Sequence, residues 1–571
     1  MERSLRRYII YIGLIGVLGV LFCACGKQTE EAPPFSDVSG MQGEVMTGAE
    51  SSAESLTQEP VLTDAPMLTE VPSDATNTPV LTDAPTDAAG TAGDSSEVSN
   101  NTSTPMLTCT PVPTNTPTPT PVITDPYDGR FWTGKYAKDT ELLLTKRQIR
   151  EQNDKNFKTG GTKLAVLSER RMYTAGEVLG MIEEYSLPSK KYLDNKEFGT
   201  ADKDALLQAR NLSALRENTT RAIVPEYGIL VMNTDLRSFP TEKRLTSEVQ
   251  GRFDYLQETR LLIGEAVLVL HRSADGAWCF VQAENYCGWI RESAIAYCDF
   301  DELCAVTEAL ADVEHGQVAV VTKNGNYRIG KADVYLRMGT RLLCADAESV
   351  TENADQMTDG QSMLQIFKDA PVGEVVTIKL PCRDTNGRLV WEEASVSAVD
   401  AEGDRCIVNS YLPYTGANVM QLAVWLLGSP YAWGDAPSFG ADVLQVGDNG
   451  MDCSSTVSAV LKCFGFVLPR NTGTQRKMDC EKTALSGMSD KERREVLDGL
   501  QGGELLYTSG HVMLYLGKVD GEYYVLHNTS TESRDDGGKD EFYRCVITTM
   551  SLGKTGQTIL ERLLQINTLF P

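Results

Sequence analysis

One cysteine and two histidines in the last third of the chain could together carry out nucleophilic catalysis. Cys453 lies in the stretch Asp452-Cys453-Ser454-Ser455, and His511 and His527 follow it. A thiolate, an imidazole beside it and a third group that orients the imidazole form the general cysteine hydrolase arrangement. A cysteine in an apolar helix is more often a packing residue, and a histidine on a strand is often no more than that. The chemistry therefore depends on the elements that hold these three side chains.

The residues after Cys453 have the apolar spacing of a helix. The apolar positions are Val457, Val460, Leu461 and Phe464. Gly465 is a natural helix stop, so we predict a helix that begins at or near Cys453 and ends before Gly465. The free N–H groups and the dipole at a helix N-terminus stabilise a thiolate, so we expect the pKa of Cys453 to be lowered.

His511 and His527 lie on two strand-like segments that flank Asp520-Gly521, which predicts a β-hairpin. A two-residue turn would send the two histidines to opposite faces of the hairpin. A three-residue loop with Gly521 in the left-handed conformation would place His511 opposite Thr529, with both histidines on one face. If the two histidines work together, we therefore expect a loop of odd length.

Four short motifs occur along the chain in the order seen in NlpC/P60 cysteine peptidases, which the region from about 415 to 545 resembles. The motifs are Tyr431-Ala-Trp433-Gly434, Asp452-Cys453-Ser454-Ser455, Leu468-Pro469-Arg470-Asn471-Thr472 with Gln475, and Gly510-His511-Val512. The resemblance implies an α+β, papain-like catalytic domain whose nucleophile helix packs on an antiparallel sheet. It implies Cys453 as nucleophile, His511 as general base and His527 as the orienting third member. Tyr431 would lie near the nucleophile and assist the oxyanion or orient the substrate.

The same resemblance implies a substrate. In the family this is usually the stem peptide of peptidoglycan, or a muropeptide, cut between γ-D-glutamate and the diamino acid without a cofactor. In the branch with SH3-type modules, the Asp before the cysteine and the Ser after it help to recognise a free amine. Asp452 and Ser454 match those positions, although Asp452 could instead only cap the helix. Asp435 stands where the family often has a second Gly, and this departure bears on the substrate cleft.

Upstream of the catalytic domain, which we predict to span 413–571, the sequence indicates three further folded regions. Residues 127–220 read mostly as helix, with a capping box at Thr174-Ala-Gly-Glu177. Residues 221–300 and 301–412 have the pattern of two small β-barrels and resemble bacterial SH3-type modules. The first barrel either binds a cell-wall ligand or serves only as a packing domain, and both interpretations fit the sequence.

The N-terminal segment reads as a lipoprotein signal peptide spanning residues 1–24. Three arginines precede an apolar run that ends just before Cys25, which is the expected lipidation site. A retained signal anchor is the alternative, and either one ties an extracytoplasmic protein to the cell membrane. Residues 25–126 are rich in Thr, Pro, Asp and Ser, which predicts a disordered tether reaching into the cell wall.

Composition narrows the choice of partners. The net charge of −26 argues against nucleic acid or an anionic membrane surface as the main partner. The 14 cysteines form no C-x-x-C pair or Cys/His cluster, so we predict no metal site and no other cofactor. The sequence therefore predicts a wall-associated cysteine endopeptidase that acts on peptidoglycan stem peptides. The alternatives are another amidase activity on the same fold and a wall-binding lipoprotein without catalysis.

Overall fold

A computed structural model of the chain describes residues 123–159, 163–330, 332–345, 373–436 and 450–570. The signal peptide, the lipidation site Cys25 and almost all of the tether lie outside the described residues and stay predictions. Within the described ranges, no helix is long and apolar enough to cross a membrane. Helices and many strands are both present, in agreement with the predicted α+β class.

The C-terminal part is built on a six-stranded antiparallel sheet. In sheet order the strands are Glu481–Ala484, Gln565–Thr568, Leu505–Thr508, His511–Val519, Glu522–Ser533 and Lys539–Thr549. The helices of this part are Gly416–Trp425, Cys453–Lys462, Thr472–Gln475, Asp490–Leu497 and Ile559–Arg562, with a 3-10 turn at Trp433–Asp435. A short strand pair joins Gly553–Lys554 to Gln557–Thr558. Alternate residues of the central strands enter two separate hydrophobic cores, so both faces of the sheet are covered.

The predicted helix after Cys453 is confirmed and spans Cys453–Lys462. Asp452 is its N-cap and forms a capping box: its carboxylate accepts the N–H of Ser455 at 2.9 Å, and the Ser455 hydroxyl accepts the N–H of Asp452 at 3.0 Å. Gly465 follows with a φ of +91°, a conformation that favours glycine and ends the helix. The local sequence thus places the thiol at a helix N-terminus.

The predicted hairpin is present, but its loop has two residues rather than an odd number. Val519 pairs with Glu522 across Asp520 and Gly521, whose φ angles of 49° and 89° fit a type I′ turn. The expectation of an odd-length loop is therefore wrong. The extra residue lies in one of the strands, as a β-bulge at Leu516.

The bulge restores the register that brings the histidines together. Gly517 pairs with Tyr524, whereas Tyr515 pairs with Val525, so one strand gains a residue between the two pairs. Continued to the end of the strand, this register sets His511 opposite Thr529, as a three-residue loop would have done. Because side chains alternate along a strand, one extra residue has the same effect on parity in the strand as in the loop.

The first β module is a seven-stranded antiparallel sheet. In sheet order the strands are Ile295–Cys298, Glu226–Leu230, Ala266–Arg272, Trp278–Ala283, Cys287–Arg291, Thr234–Arg237 and Gln257–Leu261. Every side chain of Trp278–Ala283 is buried, because that central strand is covered on both faces. A 3-10 turn at Glu292–Ala294 connects Cys287–Arg291 to Ile295–Cys298, the last strand of this module along the sequence.

The second β module follows the helix Phe300–Ala311 and has its own hydrophobic core. In sheet order its strands are Leu389–Ser397, Val375–Arg383, Arg341–Cys344, Val318–Val321 and Ile407–Val408. A separate pair joins Gly325–Ile329 to Ala332–Leu336. Arg383 links the two modules by donating to the carbonyls of Glu292 and Ile295, each at 2.8 Å.

The region before the first module is helical only in part. Its helices are Gly129–Lys135, Lys146–Thr159, Ala175–Glu183, Thr200–Ala209 and Ser213–Glu217. Its short strands are Leu142–Leu144, paired with Tyr414–Thr415, Tyr173–Thr174, paired with Ala222–Ile223, and Tyr192–Leu193, paired with Lys196–Glu197 and Leu245–Thr246. The capping box at Thr174 is confirmed. The extended stretches were missed because three of them pair with strands from later regions of the chain.

Candidate active site

Cys453 is the first residue of its helix, and its side chain is only 7% exposed. The Sγ lies 3.6 Å from Oγ1 of Thr472, and the backbone N–H of Val512 also acts on the thiol. Val512 is the neighbour of His511, so the hairpin and the helix meet at the nucleophile. Among the described residues, no hydrogen bond joins the Cys453 thiol directly to His511.

The two histidines are in direct contact and extend into a row of three side chains. Nε2 of His511 lies 2.8 Å from Nδ1 of His527. Nε2 of His527 in turn lies 3.0 Å from Oγ1 of Thr548, on the neighbouring strand Lys539–Thr549. Thr548 was not predicted, because nothing in its local sequence distinguishes it from the neighbouring Thr549.

Two proton arrangements satisfy this row. In one, Nε2–H of His527 donates to the Thr548 hydroxyl, and Nε2–H of His511 donates to Nδ1 of His527. Nδ1 of His511 then carries a free lone pair, as a general base requires. In the other arrangement every proton is reversed, and Nδ1 of His511 carries a proton. Only the first arrangement allows His511 to accept the proton of the Cys453 thiol.

Burial controls the protonation of the nucleophile. Burial, followed by the charge of the adjacent Asp452 carboxylate, raises the pKa of Cys453 to about 11. The Val512 N–H, the Thr472 hydroxyl and Arg470 act in the opposite direction but are outweighed. The expectation of a lowered pKa is therefore wrong. The helix N-terminus favours the thiolate, but burial of the thiol and the negative charge of Asp452 disfavour it more strongly.

Burial also keeps the histidines neutral. Burial, followed by the charge of Arg562, lowers the pKa of His511 to about 4. The pKa of His527 is lowered as well, by burial and then by His511. At neutral pH the resting pair is thus a thiol and a neutral imidazole, and the proton moves when the sulfur attacks.

We expect kcat/KM to be nearly flat from about pH 5 to pH 9 and to fall as the pH drops through about 4. The pKa of His511 is lowered, so the imidazole becomes protonated and loses its basicity only below that value. A pH–rate profile on a peptide substrate measures this, with circular dichroism at each pH to confirm folding. An acidic limb near the pH of about 6.5 expected for an exposed imidazole would contradict the burial of His511.

A buried guanidinium joins the residues on either side of the nucleophile. Arg470 donates to the two carboxylate oxygens of Asp452 at 3.2 Å and 2.7 Å, and to the Ser454 hydroxyl at 2.9 Å. Its Nε donates to Oγ1 of Thr259 in the first module at 2.5 Å. Burial acts to raise the pKa of Asp452, but the charge and hydrogen bonds of Arg470 lower it overall. Asp452 therefore caps the helix as a carboxylate. Its role with Ser454 in binding a substrate amine stays a prediction.

Asp435, the departure from the family pattern, belongs to the same charged cluster. Its φ of +59° is a conformation that favours glycine, so the aspartate carries some backbone strain. In return, its carboxylate accepts the N–H of Asp452 at 3.1 Å and the Ser455 hydroxyl at 2.5 Å. Arg470 lies 3.3 Å from the same carboxylate, and Arg337 of the second module lies 3.8 Å from it. At the N-terminus of the nucleophile helix, the carboxylates of Asp452 and Asp435 thus face an equal number of guanidinium groups, those of Arg470 and Arg337.

Tyr431 lies between the nucleophile and the first module. Its ring packs edge-on against Phe253 at a centroid distance of 6.1 Å. Burial, followed by the charge of a Cys453 thiolate, raises the pKa of Tyr431 well above its ordinary value. The phenol therefore stays protonated and can donate a hydrogen bond to a bound substrate.

The first module adds polar residues that were not predicted. The Glu258 carboxylate accepts the Tyr286 hydroxyl at 2.7 Å, and the Asn471 amide donates to that hydroxyl at 3.3 Å. Asn471 precedes Thr472, whose hydroxyl touches the Cys453 thiol. No local motif marks Glu258 or Tyr286, because only the docking of the module brings them near the nucleophile.

Two stretches of the chain match known families. Residues 428–539 match the NlpC/P60 family, and residues 246–291 match the SH3 domain of the SH3b1 type. A gamma-D-glutamyl-L-lysine dipeptidyl-peptidase from Bacillus subtilis (strain 168) is 31% identical over 111 residues, which are 18% of this chain. The matched stretch spans 30% of that relative's length.

One solved structure shares the architecture of this chain. An NlpC/P60 endopeptidase from Photobacterium damselae subsp. piscicida matches with a TM-score of 0.56 over 76% of this chain and 96% of that one, at 16% identity. An NlpC/P60 family protein from Bacillus cereus ATCC 10987 gives a TM-score of 0.37 over 60% of this chain and 100% of that one, at 17% identity. The first match confirms the predicted fold. The chain therefore carries an NlpC/P60 family domain, placed after an SH3 domain of the SH3b1 type.

Proposed function

We propose that this chain is a cysteine peptidase that hydrolyses the peptide part of peptidoglycan. The observation that carries the proposal is the row Thr548–His527–His511, which ends at the residue before Val512, whose backbone N–H acts on the buried Cys453 thiol at the helix N-terminus. A wall-binding protein without catalysis has no use for two histidines locked in contact at such a thiol. His527 is fully buried and His511 is half-buried, and burying an imidazole is costly unless it is hydrogen-bonded, which this row achieves.

The proposed reaction is acyl transfer from the substrate amide to water. The Cys453 sulfur attacks the scissile carbonyl carbon while its proton passes to Nδ1 of His511, and the backbone N–H of Cys453 donates to the oxyanion. His511 then gives the proton to the leaving amine, and the thioester remains. Water attacks the thioester with His511 as base, which releases the acid and restores the thiol. His527 and Thr548 hold the imidazole in the required orientation and tautomer.

We propose the bond between γ-D-glutamate and the diamino acid as the one that is cut. The resemblance to the family and the name of the Bacillus subtilis relative support this choice. The Glu258 carboxylate supports a free amine at the other end of the substrate. One of its oxygens accepts the Tyr286 hydroxyl, and within the described residues its second oxygen has no hydrogen-bond partner. An ammonium group of the substrate would donate a hydrogen bond to this second oxygen.

The proposal predicts the products of a defined peptide. We expect L-Ala-γ-D-Glu-L-Lys to be split into L-Ala-D-Glu and L-Lys, with the mass of one water added across the two products. Liquid chromatography with mass detection measures this, with the α-linked isomer as a matched control that should not be cut. N-acetylation of the alanine should lower kcat/KM by about tenfold or more, because the amine contact is lost. Cleavage at another amide would favour a different amidase activity on the same fold.

A further inference from the structure

The β-bulge that aligns the two histidines is held by a residue far away in sequence. The Tyr136 hydroxyl lies 2.7 Å from the carbonyl oxygen of Leu516, the bulged residue, and 2.8 Å from the carbonyl oxygen of Gln501. Lys135 reaches the next part of the same strand, where its Nζ lies 3.4 Å from the carbonyl oxygen of Lys518. Tyr136 and Lys135, at the C-terminal end of the helix Gly129–Lys135, thus contact two carbonyl oxygens of the bulged strand, those of Leu516 and Lys518.

The fit between this helix and the bulge is close. Gly517 has a φ of +130°, and a Cβ there would lie 2.9 Å from Nζ of Lys135 and 3.2 Å from the Trp132 ring. A Cβ at Gly502 would overlap the Tyr136 hydroxyl. Trp132 is fully buried and packs at 5.6 Å against Tyr524, the residue that pairs with Gly517. The bulge is therefore filled by side chains of the helix Gly129–Lys135.

The hydroxyl of Tyr136 supplies a hydrogen-bond donor to the carbonyl of the bulged residue, Leu516. A bulged residue leaves the ladder, and Leu516 is fully buried, so water cannot reach its carbonyl. Without a donor, this carbonyl would be a buried unsatisfied acceptor, and the strand would lower its free energy by moving the bulge. A shift of the bulge past the histidines changes the register by one residue and turns His511 away from His527.

We propose that Tyr136 is a positioning residue for His511: it fixes the bulge at Leu516 and thereby the register in which the two imidazoles touch. The inference rests on the proposed function, since it concerns the same reaction. Tyr136 contacts neither the nucleophile nor the histidines, so it acts only through the strand. The segment before the SH3 domain is in this respect part of the catalytic apparatus.

The test is the Tyr136→Phe variant of the full chain, assayed on L-Ala-γ-D-Glu-L-Lys. We expect kcat to fall by roughly ten- to a hundredfold with KM changed by less than about twofold, because the base is misplaced while the substrate contacts remain. We also expect the acidic limb of kcat/KM to move from about pH 4 upward, as His511 loses its enclosed position. A purely structural role would lower the melting temperature without moving this limb.

Tyr327→Phe is the matched control. The Tyr327 hydroxyl also lies near two backbone carbonyls, those of Lys323 at 2.5 Å and Cys406 at 3.2 Å, but in the second β module. It should lose a similar amount of stability and keep the wild-type kcat and pH profile. A Tyr136→Phe variant that matches Tyr327→Phe in kcat and pH profile would overturn the inference. An inactive wild-type chain would count against the proposed function instead.

A glycine pair provides a second measurement if Tyr136→Phe does not fold. Gly517→Ala places a methyl group against Lys135 and Trp132, whereas Gly521→Ala at the tip of the same hairpin meets open space. Both positions have positive φ, at +130° and +89°, so both substitutions carry backbone strain. We expect only Gly517→Ala to lower kcat by tenfold or more. Equal effects of the two substitutions would contradict a specific role for the contact between the helix Gly129–Lys135 and the bulged strand.

Discussion

The Cys453→Ala variant is expected to fold normally and to lose kcat/KM by a factor of roughly 10⁴ or more. The sulfur forms the covalent intermediate, and no other nucleophile lies at the N-terminus of this helix in an equivalent position. Ser454 is the next hydroxyl, but it is held by Asp452 and Arg470 at 2.9 Å each. Single-turnover assays with the stem peptide measure the loss, and thermal melting measures the fold.

Cys463→Ala, at the C-cap of the same helix, is the control for this variant. The Cys463 side chain is fully buried, and its Sγ lies 3.4 Å from the carbonyl oxygen of Ala459 and 3.5 Å from that of Val321. It should lower the free energy of unfolding by about 1–2 kcal/mol and leave kcat unchanged. Retained turnover in Cys453→Ala would remove the assignment of the nucleophile and favour a wall-binding protein without catalysis.

Arg470→Met should be the most destabilising single substitution near the site, at about 3–5 kcal/mol. It leaves the carboxylates of Asp452 and Asp435 buried with only the more distant Arg337 as a cation. The loss should be largest at neutral pH and should shrink as the pH falls, because Arg470 holds the pKa of Asp452 low in the wild-type chain and protonation of Asp452 removes that contribution. Urea unfolding at pH 7 and at pH 4 measures both values.

Two further variants make this prediction specific. Asp435→Asn in the Arg470→Met background should recover part of the stability, since one uncompensated charge is removed. Arg405→Met breaks a two-contact pair with Glu374, with both distances at 2.7 Å, on a more exposed part of the second module. It should cost only about 1 kcal/mol or less. Equal losses from Arg470→Met and Arg405→Met would show that the cluster beneath Cys453 is solvated.

Local sequence patterns were sufficient to predict the nucleophile helix and the hairpin, but not the register of the hairpin strands. The nucleophile helix follows from apolar spacing and from the capping pair Asp452 and Ser455, which are all within one short stretch of chain. The hairpin follows equally well from Asp520-Gly521. The bulge at Leu516 could not be predicted, because the donor that satisfies its carbonyl is Tyr136, 380 residues earlier in the chain.

The substrate side of the site shows the same limit. Asp435 was identified as a departure from the family pattern, yet its partners Arg470 and Arg337 come from another motif and another module. Glu258 and Tyr286 carry no signal of their own and gain significance only through the docking of the first module beside Asn471.

The amino-acid sequence by itself determined which residues can react: Cys453 at a helix start, and His511 and His527 on one hairpin. These follow from residue type and from interactions within a few positions, which any short segment carries. Only the tertiary structure decided whether the three form a site. Burial, which raises the pKa of Cys453 and lowers that of His511, depends on every element packed around them. The contact between the two imidazoles depends on a bulge whose carbonyl oxygen is bound by a tyrosine 380 residues earlier in the chain.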